Sequence, residues 1–149
     1  ECKDLAGVEA ELSRIVQAGF IKQEDAMHID PKVIRGFFET SIGKRMINAS
    51  QLLREFKFSV LVGGSDYACS CEEDKVLLQG VVDCAMIEDD GVTIVDFKTD
   101  RVTEETLDQV TAAYKFQVKA YSDALERIYG KKVKEACLYF FRLNRFVNV

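Results

Sequence analysis

The stretch from Gly80 to Thr99, GVVDCAMIEDDGVTIVDFKT, limits what this chain can fold into more than any other. Two runs of β-branched and apolar residues flank Asp90-Gly91, and Asp-Gly between such runs signals two antiparallel strands joined by a tight primed turn. With Asp90 and Gly91 as the turn residues, Asp89 faces Val92, and the ladder sets Asp83 across from Lys98 and Asp96 across from Ala85. Strand side chains alternate between faces, so Asp83, Ala85, Asp96 and Lys98 are all expected on one side of the sheet. The direct pair should have Cβ atoms about 5 Å apart, and the diagonal pair Asp83 and Asp96 about 7–8 Å.

Two carboxylates and one ammonium then share a face that is otherwise apolar. Burying like charges close together is costly unless a cation lies between them. An ordinary cross-strand pair with Lys98 would neutralise one acid and leave the other unexplained, because VTIVDF is apolar enough to be a central strand. The functional reading is that Asp83 and Asp96 hold a divalent cation. Mg²⁺ suits such a pair, since it takes oxygen ligands and keeps several waters.

Asp83 followed by Asp96-Phe97-Lys98 resembles the PD-(D/E)XK nuclease signature, and the fuller set GVVD, VDFKTD and Gln117-x-x-x-Tyr121 resembles the RecB-like branch of that superfamily. The likeness is greatest to the C-terminal nuclease domains of bacterial helicase-nuclease subunits, and it covers roughly residues 50 to 143. It implies an α/β fold with a restriction-endonuclease-like core, a βββαβ mixed sheet flanked by helices, preceded by N-terminal helices. It further implies a Mg²⁺-dependent DNA exonuclease, with Mn²⁺ as a substitute ion. Asp83, Asp96 and the main-chain carbonyl of Phe97 would be the metal ligands. Lys98 would act on the attacking water or on the charge developing at phosphorus, and Gln117 and Tyr121 would lie beside the scissile phosphate. Arg101 could reach a phosphate as well. The implied partners are DNA, a helicase portion of the same polypeptide and a second helicase-nuclease subunit. The setting would be double-strand-break repair and recombination in the bacterial cytoplasm.

Two residues stand outside that pattern. His28, the only histidine, sits in MHIDP, which does not match the upstream metal histidine of the family, so it reads as a surface or helix-end residue. The family's histidine is expected ahead of Glu1, because the chain starts without Met and reads as a fragment. Arg54-Glu55 followed by Phe58 is similar to the family's RExPF strand, which leaves Glu55 open between a site role and an exposed strand position.

Composition narrows the alternatives. At 149 residues, 48% hydrophobic and 30% charged, the chain suits one globular domain, with residues 1–50 as a helical segment packed on a 51–149 core. No apolar run approaches the roughly 20 residues that span a bilayer, so no membrane role is expected. The net charge of −5 argues against a protein that coats nucleic acid by charge alone. It leaves room for a nuclease whose metal-binding acids count as negative. Five cysteines, Cys2, Cys69, Cys71, Cys84 and Cys137, show no disulfide or zinc-finger spacing and read as free thiols. GxxxxGK[ST] is absent, so a helicase motor must lie elsewhere, and no ATP site is expected here.

In order along the chain, LAGVEAELSRIVQA has helical spacing, IKQEDAMHID reads as a short helix or turn, and Asp30-Pro31 starts a helix expected to reach about Asn48. Lys44 and Arg45 are expected on its outer surface. LREFKFSVLV, residues 76–87 and residues 92–98 read as a three-stranded meander. Thr103 is expected to cap a helix with Glu104 and Glu105 in its first turn, running to Tyr129 with Gly130 closing it. Its inner stripe would use Leu107, Val110, Tyr114, Gln117, Tyr121, Leu125 and Ile128. Residues 133–141 form a last strand, and a helical crossover of this length suits parallel pairing with the strand before it. The main rival reading is a catalytically inactive nuclease-like scaffold or DNA-end-binding module. A different Mg²⁺-dependent phosphoryl-transfer enzyme is the second, and the Gln117/Tyr121 helix argues against it. Alone, the chain is expected to be weakly active or inactive.

Overall fold

A computed structural model describes residues 4–67 and 75–149. Cys2, Cys69 and Cys71 lie outside the described residues. Four helices come first: α1 (Leu5–Gln17), α2 (Gln23–Ala26), α3 (Pro31–Glu39) and α4 (Ser41–Asn48). They are followed by β1 (Leu52–Gly63), a 3₁₀ turn (Gly64–Tyr67), β2 (Lys75–Glu88), β3 (Gly91–Lys98), α5 (Leu107–Tyr129), β4 (Val133–Phe140) and β5 (Arg145–Asn148). The strands form one sheet in the order β1-β2-β3-β4-β5. β3 and β4 are parallel, joined by the α5 crossover, and the other neighbours are antiparallel. This is the expected βββαβ core with flanking helices.

The run VTIV explains the placement of β3 at the centre, because it is apolar on both faces and only a doubly covered strand can bury both. Val92 and Ile94 pack with Ala124 and Leu125 of α5, while Val95 packs on the other face with Phe37, Ile42 and Met46 of α3 and α4. The sheet is therefore sandwiched between α5 and the N-terminal helices. Phe37 centres the second layer, with its ring 5.0–6.0 Å from those of Phe38, Phe97, Tyr139 and Phe146.

The hairpin forms, but in a different register. Glu88 faces Gly91 and Ala85 faces Ile94, so Asp89-Asp90 is the two-residue turn and the ladder is offset from the Asp90-Gly91 expectation. Gly91 is needed for another reason. Its φ is +150°, and a Cβ there would lie 2.7 Å from the Lys132 carbonyl, at the point where Val92 N–H bonds that same carbonyl at 2.8 Å. The glycine answers a close approach by the start of β4 and is not a turn residue.

Three other expectations need correction. The helix from Pro31 does not continue to Asn48. Thr40 is extended (ψ 162°), and its Oγ1 accepts from Gly43 N–H at 3.0 Å, so a new N-cap separates α3 from α4. Arg45 is not a free basic group. It donates to Glu135 at 2.6 Å, to Glu88 at 2.8 Å and to Thr93 Oγ1 at 2.9 Å, tying α4 across the edge of three strands. Finally, α5 begins at Leu107, because Thr106 Oγ1 accepts from Thr103 N–H at 3.0 Å and holds residues 103–106 in a separate turn. On α5 itself Ile128 is exposed and Val118 is buried, so the inner stripe lies slightly to one side of the expected one. Gly130 does close the helix in the left-handed conformation, φ +63°.

β5 has no counterpart in the sequence reading. It is reached through a turn without Gly or Pro, in which Asn144 adopts φ +49° and its Oδ1 accepts from the Tyr139 hydroxyl at 2.5 Å. Among the described residues, no helix is long and apolar enough to cross a membrane.

Candidate functional site

β3 delivers the first pair. Asp96 and Lys98 are two residues apart and so share the face toward α5. Lys98 Nζ lies 2.5 Å from Asp96 Oδ2, with the Asp96 side chain 2% and the Lys98 side chain 10% exposed. Lys98 Nζ also donates to Gln117 Oε1 at 3.1 Å, and Gln117 Nε2 donates to the Tyr121 hydroxyl at 2.6 Å. The i, i+4 spacing of Gln117 and Tyr121 on α5 thus converts into a connected series from carboxylate to ammonium to amide to phenol.

Asp83 joins from β2 by a less regular route. The β2–β3 ladder ends at Cys84 and Val95, and the next facing pair in that register is Asp83 with Asp96, not Asp83 with Lys98. At this level β2 leaves simple alternation, since Val82 and Ala85 both pack under α5. The same level disturbs β1. Arg54 faces Cys84 and Phe56 faces Val82, which puts Glu55 opposite Asp83, and Glu55 has φ +46°, a strained value for a non-glycine residue. Paired irregularities of this kind re-aim a side chain. Asp83 Oδ2 accepts from Phe97 N–H at 2.9 Å, taking the place of a strand carbonyl at the seam between β2 and β3. Asp83 also borders a cleft of about 900 Å³ on the α3/α4 side with Arg54, Glu55, Cys84 and Phe97. The expectation that it simply shares a face with Asp96 and Lys98 is therefore replaced by a position at the seam.

The electrostatics follow from burial. Desolvation lifts the Asp96 carboxyl above its usual range, Lys98 offsets this only in part, and the charges of Asp83 and Asp100 push it further up. The Tyr121 hydroxyl is raised too, by burial first and then by Asp96, with a smaller contribution from Asp83. Both acids thus add negative charge felt at the Tyr121 hydroxyl. Asp96 Oδ2 is buried and, apart from the Lys98 ion pair, has no aligned hydrogen bond. Such an atom costs stability unless a cation meets it.

The donor types at the seam, though not a shared coordination point, suit a divalent cation. The Lys98 carbonyl is spent on Phe141 N–H at 3.1 Å on the β4 side. Strand carbonyls alternate in direction, so that of Phe97 faces the seam with Asp83. Two carboxylates and a carbonyl, all oxygen, match a hard ion that retains waters. Among the described residues no group of three or more His, Cys, Asp or Glu side chains is arranged to hold a metal.

The remaining expected residues lie apart. Arg101 is exposed just beyond β3 and makes no hydrogen bond or ion pair among the described residues. His28 is exposed after α2 and does not border the cleft at Asp83. Sequence reading did not assign three neighbours to the site. The Tyr114 ring lies 3.7 Å from Lys98 Nζ, and its hydroxyl donates to Asp100 Oδ1 at 3.0 Å. The signal was present: Tyr114, Gln117 and Tyr121 recur at helical spacing, and Asp100 is two residues beyond Lys98. Gly80 is another. A Cβ there would come within 2.8 Å of Phe58 and 3.3 Å of Tyr121, whose rings meet edge to face at 5.9 Å. The small residue lets Phe58 brace Tyr121.

Comparison with known proteins agrees with this fold. Residues 3–148 match the family model described as the PD-(D/E)XK nuclease superfamily. The chain is 35% identical over 145 residues to an ATP-dependent helicase/nuclease subunit from Thermoanaerobacter sp. (strain X514), covering 93% of this chain and 12% of the relative. It is 33% identical over 143 residues to the protein of the same name from Syntrophomonas wolfei subsp. wolfei, covering 95% and 12%. Identity to that of Clostridium botulinum (strain Loch Maree / Type A3) is 32% over 147 residues, covering 95% and 11%. The chain thus spans only about 12% of the length of these curated relatives.

Proposed function

Because this chain belongs to the PD-(D/E)XK nuclease superfamily, we propose that it is a Mg²⁺-dependent deoxyribonuclease domain, an exonuclease that hydrolyses DNA phosphodiester bonds. The observation that carries the reading is the convergence of Asp96, Lys98, Gln117 and Tyr121 at the seam where Asp83 enters. Asp83, Asp96 and the Phe97 carbonyl would hold the ion. So held, a divalent cation supplies Lewis acidity toward a phosphoryl oxygen and makes water a better nucleophile. Mn²⁺ would substitute.

The chain's own groups do the rest. Lys98, confined between Asp96 and the Tyr114 ring, presents a fixed positive charge in a water-poor pocket, where it is worth far more to developing negative charge than in bulk solvent. From that position Lys98 would act on the attacking water or on the charge developing at phosphorus. Gln117 and Tyr121, locked to each other, position the DNA strand. Arg101, exposed at the rim, reaches a neighbouring phosphate.

In the whole polypeptide this domain would work with a helicase portion and a second helicase-nuclease subunit, in double-strand-break repair and recombination in the bacterial cytoplasm. The relatives' names, helicase/nuclease subunits, and the 11–12% of their length that this chain spans support the helicase portion of that setting. The decisive test is degradation of linear single-stranded DNA by the full-length protein with Mg²⁺ and with EDTA. Asp96→Ala and Lys98→Ala should each lower Mg²⁺-dependent cleavage by at least about 100-fold, the scale of losing one electrostatic group from such a site. Undiminished cleavage by both variants would overturn the assignment.

A further inference from the structure

Among the described residues two phenylalanines are largely exposed and unused by the site above, Phe20 on the N-terminal side and Phe116 on α5. Phe116 is 62% exposed although it is the immediate neighbour of Gln117 on α5, a position where water contact with so large an apolar ring brings no stability. Its orientation is fixed from one side. The Tyr67 ring, at the end of the 3₁₀ turn that follows β1, meets it edge to face with centroids 5.5 Å apart and planes at 86°. Tyr67 is anchored in turn, its hydroxyl donating to Asp123 Oδ2 at 2.6 Å and its ring lying 4.7 Å from Lys119 Nζ. The edge contact holds Phe116 in place and leaves much of its surface open.

Among the described residues the charges around the ring are basic on balance. Lys115 precedes it and is exposed, and Lys119 follows one turn later. Among the described residues the acid in this group is Asp123, which is met by Lys119 at 2.6 Å and by the nearby charge of Arg127. An open aromatic face between lysines is how proteins bind single-stranded nucleic acid irrespective of sequence, with bases on the ring and phosphates on the cations.

We propose that Phe116, propped by Tyr67 and flanked by Lys115 and Lys119, is a stacking platform for a base of single-stranded DNA next to the strand segment held by Gln117 and Tyr121. The inference rests on the nuclease reading and adds a residue that positions substrate without touching the reacting atoms. Adjacent helix positions differ by about 100° and 1.5 Å. Phe116 therefore lies on the helix face next to that of Gln117, and a DNA strand has to pass round that side of α5 to meet both.

The test uses the full-length protein and short oligothymidylates. Phe116→Ala should raise KM for cleavage roughly fivefold or more, the scale of losing one stacked base, while kcat stays within about twofold and Phe116→Trp restores the wild-type KM. A 5-iododeoxyuridine oligonucleotide, bound with Ca²⁺ in place of Mg²⁺ and irradiated, should crosslink to Phe116 or Tyr67. Unchanged KM in Phe116→Ala, with crosslinks only elsewhere, overturns the platform and leaves the nuclease reading intact. If the variant instead cleaves normally but the domain becomes susceptible to proteolytic release from the rest of the polypeptide, the ring is a protein contact and the platform falls. Absence of metal-dependent cleavage by the wild type would defeat the nuclease reading itself.

Discussion

Asp96 and Lys98 set the energetics of the site at the level of single residues. A buried ion pair is worth little for stability as a pair, but removing one member leaves the other charge stranded. Asp96 is the more exacting member, because it is nearly inaccessible and its Oδ2 has only the ammonium for company. Lys98→Ala should therefore destabilise the fold by about 3–5 kcal/mol in EDTA. A cation held by Asp83 and Asp96 would replace the lost charge, so added Mg²⁺ should recover part of that loss through preferential binding to the folded state. Urea denaturation of the variant with and without Mg²⁺ measures both quantities. A neutral effect in EDTA would mean that Asp96 is protonated or hydrated in the native protein, and the electrostatic account of the pair would fail.

The strands and helix that carry these residues show which parts of the site could be read from sequence. Asp96, Lys98, Gln117 and Tyr121 were legible because each pair follows a fixed period, two on a strand and nearly four on a helix. Asp83 was legible as a strand residue near Asp96 but not in its geometry. The Asp-Gly signal pointed to a turn, whereas Gly91 exists to admit the Lys132 carbonyl, a contact from residues some forty positions later. The break in alternation at Asp83 and the left-handed Glu55 arise from pairing between two strands, which no single window contains. The same holds for Arg45, whose partners Glu88, Thr93 and Glu135 come from three other elements. Thr40 and Asn144 are different. Each is a local signal, a cap and a left-handed turn residue, masked by a surrounding run with stronger helical or strand character.

Gly80 ties element to site. It stands where β2 passes beneath both Phe58 and Tyr121, so an added methyl group must displace one ring. Gly80→Ala should cost about 1–3 kcal/mol by overpacking. It should also lower cleavage more than the stability loss alone explains, because the displaced Tyr121 carries Gln117 with it through their 2.6 Å hydrogen bond. Comparing kcat/KM with the denaturation midpoint of the variant separates the two effects. Activity that falls only in step with the folded fraction would remove Gly80 from the site's support.

For the molecule as a whole, the doubly covered sheet makes the interior apolar enough to govern its titration. Cys137 on β4 lies at the centre of that interior with no exposed surface, and burial pushes its thiol up to about 12. Its Sγ hydrogen-bonds the Ile94 carbonyl at 3.4 Å, which also requires the protonated form. In the unfolded chain a cysteine ionises near pH 8.5. The folded protein therefore retains a proton that the unfolded chain releases, and the sign follows: this contribution to stability is complete below about pH 8.5 and is lost as pH rises toward the native value. Denaturation midpoints should fall steadily between about pH 9 and 11, and Cys137→Ala should flatten the decline even though it creates a small cavity that lowers stability at neutral pH. Alkylation at pH 8, mapped by mass spectrometry, should leave Cys137 unmodified in the native protein and modify it in urea, because the reactive species is the thiolate. Rapid native labelling would show that the sheet opens between β3 and β4, the strands on which the crossover and Asp96 both depend.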